Sequence, residues 1–238
     1  STRVRTSYRV TEQTLVINLE GRKRVLSSAP QGGGLTLASY VLNHQVEAHP
    51  SATGDRSKTF ADPAHFLRKV ASRLGIRART VGLMTAVPMT QLVMARAASD
   101  GLWVECFATV GVTNAVRAGE WPPQRAHRDR PGKPGTINLI LITNGSLSHA
   151  ATVGVVQVVT EAKAGVLRDH AVPSCGSRIA ATGTGTDAVV IACRLRGQGP
   201  SHLYSGTHTI IGALVGQVVT DCMTRGLAKA KAWRELSQ

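Results

Sequence analysis

The string Ala181-Thr182-Gly183-Thr184-Gly185-Thr186-Asp187 is the most unusual in the chain. Small residues at this density let backbone N–H groups converge on an anion or a carbonyl oxygen. A nest around Gly183, Thr184 and Gly185 could hold the oxyanion that develops when an amide is hydrolysed; a tight turn entering a strand is the competing reading. It is no nucleotide loop, because the glycines precede the strand and no G-x-x-x-x-G-K-[ST] occurs. Asp187 at the strand entrance and His208 at the start of the last helix form an acid–base pair if the fold joins them, His208 taking a proton from water and Asp187 orienting it. Glu161 on an apolar helix is a second candidate base. Gln157, Glu161 and Arg168 share one narrow face, however, which fits a solvent stripe equally well. Asn114 and Arg117 follow a buried strand, where α/β sheets display ligand groups.

Other chemistries are poorly signalled. No H-E-x-x-H occurs and the eight histidines are scattered, so no metal site is read and no cofactor is required by the sequence. There is no G-x-S-x-G elbow for a serine nucleophile. Cys106, Cys175, Cys193 and Cys222 form no C-x-x-C pair and read as reduced, buried core residues, which favours the cytoplasm.

These groups need elements to position them. Thr14 to Glu20 and Arg24 to Ser28 read as short strands either side of a turn at Gly21-Arg22, and the Gln31 to Gly34 glycine run as a loop. Asp62-Pro63 caps and opens a helix reaching about Leu74. Arg79 to Val87 and Leu102 to Gly111 read as strands flanking a helical Met89 to Ser99. Ile137 to Thr143 and Ala188 to Cys193 read as buried strands, Ser148 to Asp169 and Gly206 to about Lys231 as long helices. The expectation is a single layered α/β or α+β domain over residues 1–238, a mixed β-sheet packed by long helices. The basic segment 1–12 and the proline-rich loop 120–134 are the places read as mobile.

The chain has 238 residues, 42% hydrophobic and 18% charged, a composition for a substantial core and not for disorder. No uncharged run of about 18 to 20 apolar residues suggests a membrane span, and Ser1 to Arg24 lacks a signal-peptide pattern. A net charge of +14 raises nucleic acid as a partner. With only 4% aromatic residues and no RNA-recognition signature, a solvated basic surface explains the charge better.

Read as whole strings, Arg24 to Gly34 (RVLSSAPQGGG), Tyr40 to Asn43 (YVLN), Val81 to Val87 (VGLMTAV), Ala108 to Glu120 (ATVGVTNAVRAGE), Gly135 to Asn144 (GTINLILITN), Thr160 to Lys163 (TEAK), Ala181 to Ala192 (ATGTGTDAVVIA) and Ser205 to Gly212 (SGTHTIIG) resemble the adenosylcobinamide amidohydrolase family, in order from about Arg24 to Val219. The resemblance implies hydrolysis of adenosylcobinamide to adenosylcobyric acid and 1-amino-2-propanol in cobalamin salvage, with nucleotide-loop corrinoids such as adenosylpseudocobalamin as further substrates. It makes an adenosylated corrinoid the substrate and partner. A corrinoid-binding protein without turnover, or a basic nucleic-acid binder, are the alternatives. The matching strings hold His208, Glu161, Asp187 and Thr184 as the catalytic set, with attack by water favoured over a covalent threonine route. Asn43, Asn114, Arg117, Lys163 and Thr186, with Gly183 and Gly185, are the candidates for holding the substrate.

Overall fold

The computed structural model describes residues 4–46, 61–121 and 135–236. Two hairpin-like pairings start the sheet: β1 (Tyr8–Thr11) lies antiparallel to the first half of β2 (Thr14–Ser27), which pairs antiparallel along its other edge with β3 (Gly34–Gln45). β2 is one long strand where two short ones were expected. Glu20 and Gly21, both at positive φ, and the register shift between Asn18 and Lys23 make an irregularity inside the strand, not a turn that ends it. The segment 1–12, expected to be mobile, is held in part: β1 is paired, and the Arg5 and Thr6 backbone N–H groups donate to the buried Glu105 carboxylate.

After α1 (Pro63–Arg73) come β4 (Thr80–Thr85), β5 (Val93–Ser99) and β6 (Leu102–Val110). Asp62 caps α1 by accepting from the His65 N–H at 2.8 Å, with Pro63 in its first turn, as the sequence indicated. The helix expected over Met89 to Ser99 is not there: Met89–Gln91 is a single 3-10 turn and the rest is β5. Its alanines and methionine favour helix, but Asp100 and Gly101, both left-handed, close a two-residue turn that pairs β5 antiparallel with β6, and pairing overrides propensity.

The remaining elements are β7 (Ala115–Val116), β8 (Ile137–Thr143), β9 (Ser146–Leu147), α2 (His149–Asp169), β10 (Gly183–Thr184), β11 (Ala188–Cys193), β12 (Ser201–His202) and α3 (Ile210–Leu236). The last helix starts later than expected, leaving His208 in the turn before it. Among the described residues the main sheet runs β4-β3-β2-β11-β8-β6-β5, with β11 and β8 parallel and β8 and β6 antiparallel, which is the expected mixed α/β architecture.

Side-chain alternation shows how the sheet is layered. Cys106, Leu139, Leu141 and Ile191 point to one face, where α2 and α3 cover them with Val155, Val159, Val215 and Val219. Phe107, Ile140, Ile142 and Val190 point to the other, where they meet Leu15, Ile17, Val41 and Leu83 from β2, β3 and β4. The sheet therefore curls until its β2-β3-β4 half lies across its β11-β8-β6 half. α1 packs outside that second layer, with Ala71 on Val16 and Leu42. α2 is long and apolar enough by composition to cross a membrane; here its apolar face meets the sheet and α3, while Gln157, Glu161 and Arg168 form the exposed stripe. Cys106, Cys193 and Cys222 are buried and free, but Cys175 is exposed, against the expectation for all four.

Candidate active site

Curling brings the starts of β8 and β11 against the end of β4. Asn138, a polar residue in an otherwise apolar strand, donates to the Asn43 side chain at 2.9 Å and to the Met84 carbonyl at 2.8 Å, and Asn43 donates to Thr109 at 3.1 Å. This fully used network ties the two layers together, because each group is buried and would cost free energy unpaired. Above it opens a cavity of about 430 Å³. Met84, Thr85 and Ala86 form one wall, Gly135, Thr136 and Asn138 a second, and Thr186, Asp187 and Ala188 a third, with Ser28 and Pro30 at the exposed rim. The size suits a small ligand or one arm of a larger one.

Asp187 is the most heavily bonded group of this wall. One carboxylate oxygen accepts from the Ile137 N–H at 3.0 Å and the Thr184 hydroxyl at 2.5 Å; the other accepts from the Thr184 N–H at 3.1 Å and the Lys163 ammonium at 2.5 Å. Four donors fill the lone pairs of both oxygens, so Asp187 fixes its neighbours and has no free position from which to take a proton. Gly183 is small by necessity: a Cβ there would stand 2.5 Å from Asp187 Oδ2 and 3.0 Å from Lys163 Nζ.

The expected nest is not what forms. Thr184 spends its N–H on Asp187, and Gly183-Thr184 pairs as β10 with Ala115–Val116. Gly185 is exposed. Thr186, exposed at the cavity rim, links two of its walls, its hydroxyl donating to the Gly135 carbonyl at 3.3 Å and its own carbonyl accepting from the Thr136 hydroxyl at 2.9 Å.

His208 and Glu161 do not join this site. Ser205, three residues before His208, donates to the Ala151 carbonyl at the first turn of α2, whereas Lys163, twelve residues further along α2, meets Asp187; that is about 18 Å of helix. His208 is exposed at the far end of the sheet, and Glu161 faces outward on the exposed stripe. The acid–base pair expected of Asp187 and His208 is thus not formed, because parallel β8 and β11 put the two residues at opposite strand ends. At that far end Gly212 permits a close backbone approach, its Cα abutting the Gly206 carbonyl.

The other expected binding residues have local partners. Arg117 donates to the Ala180 carbonyl at 3.0 Å and buttresses the segment before β10. Glu120 accepts from Ser174 at 2.5 Å, from Ser177, and from the Arg117 N–H. The hydrogen bonds from Ser174 and then Ser177 hold its carboxyl below the usual carboxylate range. Asn114 lies beside Gly135, its Oδ1 buried and without a hydrogen-bond partner among the described residues. The basic residues of the expected mobile loop, Arg125 to Lys133, lie outside the described residues.

Thr85, Thr136 and Asn138 line the cavity and were absent from the expected site. The available signal was Asn138 itself, a carboxamide at the second position of a strand with six apolar or small β-branched companions. Among the described residues no three His, Cys, Asp or Glu side chains gather.

A side-chain-sized cavity edged by hydroxyls and a carboxamide is the kind of site that holds a small ligand or one arm of a larger one. The adenosylcobinamide amidohydrolase family matches residues 1–235, and the chain belongs to that family. An adenosylcobinamide amidohydrolase of Methanosarcina mazei is 28% identical over 227 residues, covering 92% of this chain and 96% of that protein. An uncharacterised protein of Methanocaldococcus jannaschii is 29% identical over 232 residues, 91% of this chain and 86% of its own length. Among solved structures the PH0078 protein of Pyrococcus horikoshii aligns over 96% of this chain and 82% of its own at a TM-score of 0.43 and 10% identity.

Proposed function

We propose that this protein hydrolyses the aminopropanol amide of adenosylcobinamide, giving adenosylcobyric acid and 1-amino-2-propanol, and that the cavity at the starts of β8 and β11 is where the amide is cut. One observation carries the location. Four strings that resemble the family and are far apart in the chain, 24–34, 81–87, 135–144 and 181–192, supply every described residue of the cavity except Val46 and Pro63. Family membership supports the reaction, and this convergence supports the place.

The cavity is smaller than a corrin ring carrying its adenosyl group. The ring sits at the rim formed by Ser28, Pro30 and Thr186 while one amide arm enters, so selection among the several amides of the corrin edge comes from positioning. Inside, the Thr85 hydroxyl has its proton to offer a carbonyl, and the Thr186 hydroxyl oxygen and Asn138 Oδ1 have lone pairs to offer an N–H. A net charge of +14 favours a second reading alongside the first, that phosphate-bearing nucleotide-loop corrinoids such as adenosylpseudocobalamin are also cut.

The test is product analysis: purified protein with adenosylcobinamide, assayed by mass spectrometry for 1-amino-2-propanol. Its release at a rate proportional to enzyme supports hydrolysis. Saturable binding without release would leave a corrinoid-binding protein, and salt-sensitive retention on DNA without either would favour a nucleic-acid binder.

A further inference from the structure

We propose that Thr136 cuts the Gly135–Thr136 peptide bond of its own chain, and that the amino-terminal threonine so formed is the nucleophile of the amide hydrolysis; the second half rests on the amidohydrolase reading. The first observation is how Thr186 holds this bond. Its carbonyl accepts from the Thr136 hydroxyl at 2.9 Å, which fixes the attacking oxygen, and its hydroxyl donates to the Gly135 carbonyl at 3.3 Å, the oxygen that turns negative when that carbonyl is attacked. The second is an unused acceptor. Among the described residues Asn114 Oδ1 is buried and unpartnered, 2.6 Å from where a Cβ on Gly135 would stand, and the next atom group along the chain is the nitrogen that the cut converts from an amide to an amine with hydrogens to donate. The residues after the bond are pinned, since the Thr136 carbonyl accepts from Gly111 at 2.9 Å and the Ile137 N–H is held by Asp187. The new terminus would stay in the cavity.

Need for a base points the same way. A threonine hydroxyl is a weak nucleophile until a base takes its proton. Among the described residues no histidine lines the cavity, and the Asp187 oxygens are filled by four donors. The α-amine of Thr136 itself is a base within reach of its own hydroxyl, and it exists only after the cut.

The steps balance. Thr136 Oγ1 attacks the Gly135 carbonyl carbon, the C–N bond breaks, and the nitrogen keeps the electron pair and gains the hydroxyl proton, leaving an ester. Water hydrolyses the ester, giving a carboxyl group on Gly135 and a free hydroxyl and amine on Thr136. In turnover the amine takes the hydroxyl proton as the oxygen attacks the substrate amide, aminopropanol leaves with that proton, and water releases the corrinoid acid.

The test is denaturing mass spectrometry and amino-terminal sequencing of purified full-length protein, alongside Thr136→Ala and Thr136→Ser, each also assayed for aminopropanol release. The expected result is two wild-type fragments, the second beginning at Thr136, a single inactive Thr136→Ala chain, and a Thr136→Ser protein that is cut and active. A single wild-type chain overturns the inference, and if that chain still releases aminopropanol the functional reading stands without it. Wild-type protein cut at Thr136 that releases no aminopropanol overturns the functional reading and keeps the self-cleavage. An active Thr136→Ala protein overturns the nucleophile.

Discussion

Lys163 and Asp187 meet at 2.5 Å where the middle of α2 passes the entrance of β11, their side chains only 11% and 12% exposed. This contact fixes the depth of α2 against the sheet and, through the other bonds to Asp187, the start of β8 on which the cavity is built.

Removing one partner of a buried pair strands the other charge, so Lys163→Met should lower stability by about 3–5 kcal/mol. The double variant Lys163→Met with Asp187→Asn should recover part of that loss, since a neutral amide needs no cation. Urea unfolding of the three proteins measures it; a double variant no more stable than Lys163→Met would mean the pair does not act as a unit.

Glu105 ties the amino-terminal segment to the sheet. Fully buried, it accepts from Arg96 at 2.6 Å and from the backbone of Arg5 and Thr6. Hydrogen bonds to a charged group contribute about 1.5–3 kcal/mol, so Glu105→Gln should speed hydrogen exchange across β1 by about tenfold or more. Unchanged exchange there would show that strand pairing alone holds the segment.

The clamp made by Glu120 should respond to acid. Its folded pKa lies below the ordinary value because Ser174 and Ser177 donate to it. The contribution is therefore complete above the usual glutamate pKa and is lost as pH falls through the lowered folded value. Limited proteolysis between Ser174 and Ala180 should accelerate in that acid range for the wild type, while Glu120→Gln should show no such step. An identical pH profile in both proteins would assign the change to another group.

Much of the frame was legible in the sequence because local signals agreed with the final contacts. Ile137 to Thr143 and Ala188 to Cys193 are apolar runs of strand length in the buried parallel pair, and Asp62 is a helix cap that does cap. Met89 to Ser99 misled because alanine and methionine carry helix propensity, while the decisive signal was two residues at Asp100-Gly101. The site was half legible. Asp187, Lys163, Thr184 and Thr186 were recognisable as polar residues in unusual strings and do converge. His208 looked equally suitable, but strand direction, which no local pattern encodes, puts it at the other end. Thr85 and Thr136 escaped because a hydroxyl inside a β-rich run reads as β propensity until the sheet is seen to curl, and the one carboxamide in an apolar strand, Asn138, has no partner to suggest its role until then.

The claim on which the rest depends is that the amide is cut in the cavity between β4, β8 and β11. Ala86 lines it and is only partly buried, so Ala86→Phe fills the space without overpacking the core. Steady-state release of 1-amino-2-propanol from adenosylcobinamide by this variant tests the claim. With wild-type unfolding behaviour retained, kcat/KM should fall on the order of tenfold or more; an unchanged kcat/KM would place the reaction elsewhere on the protein.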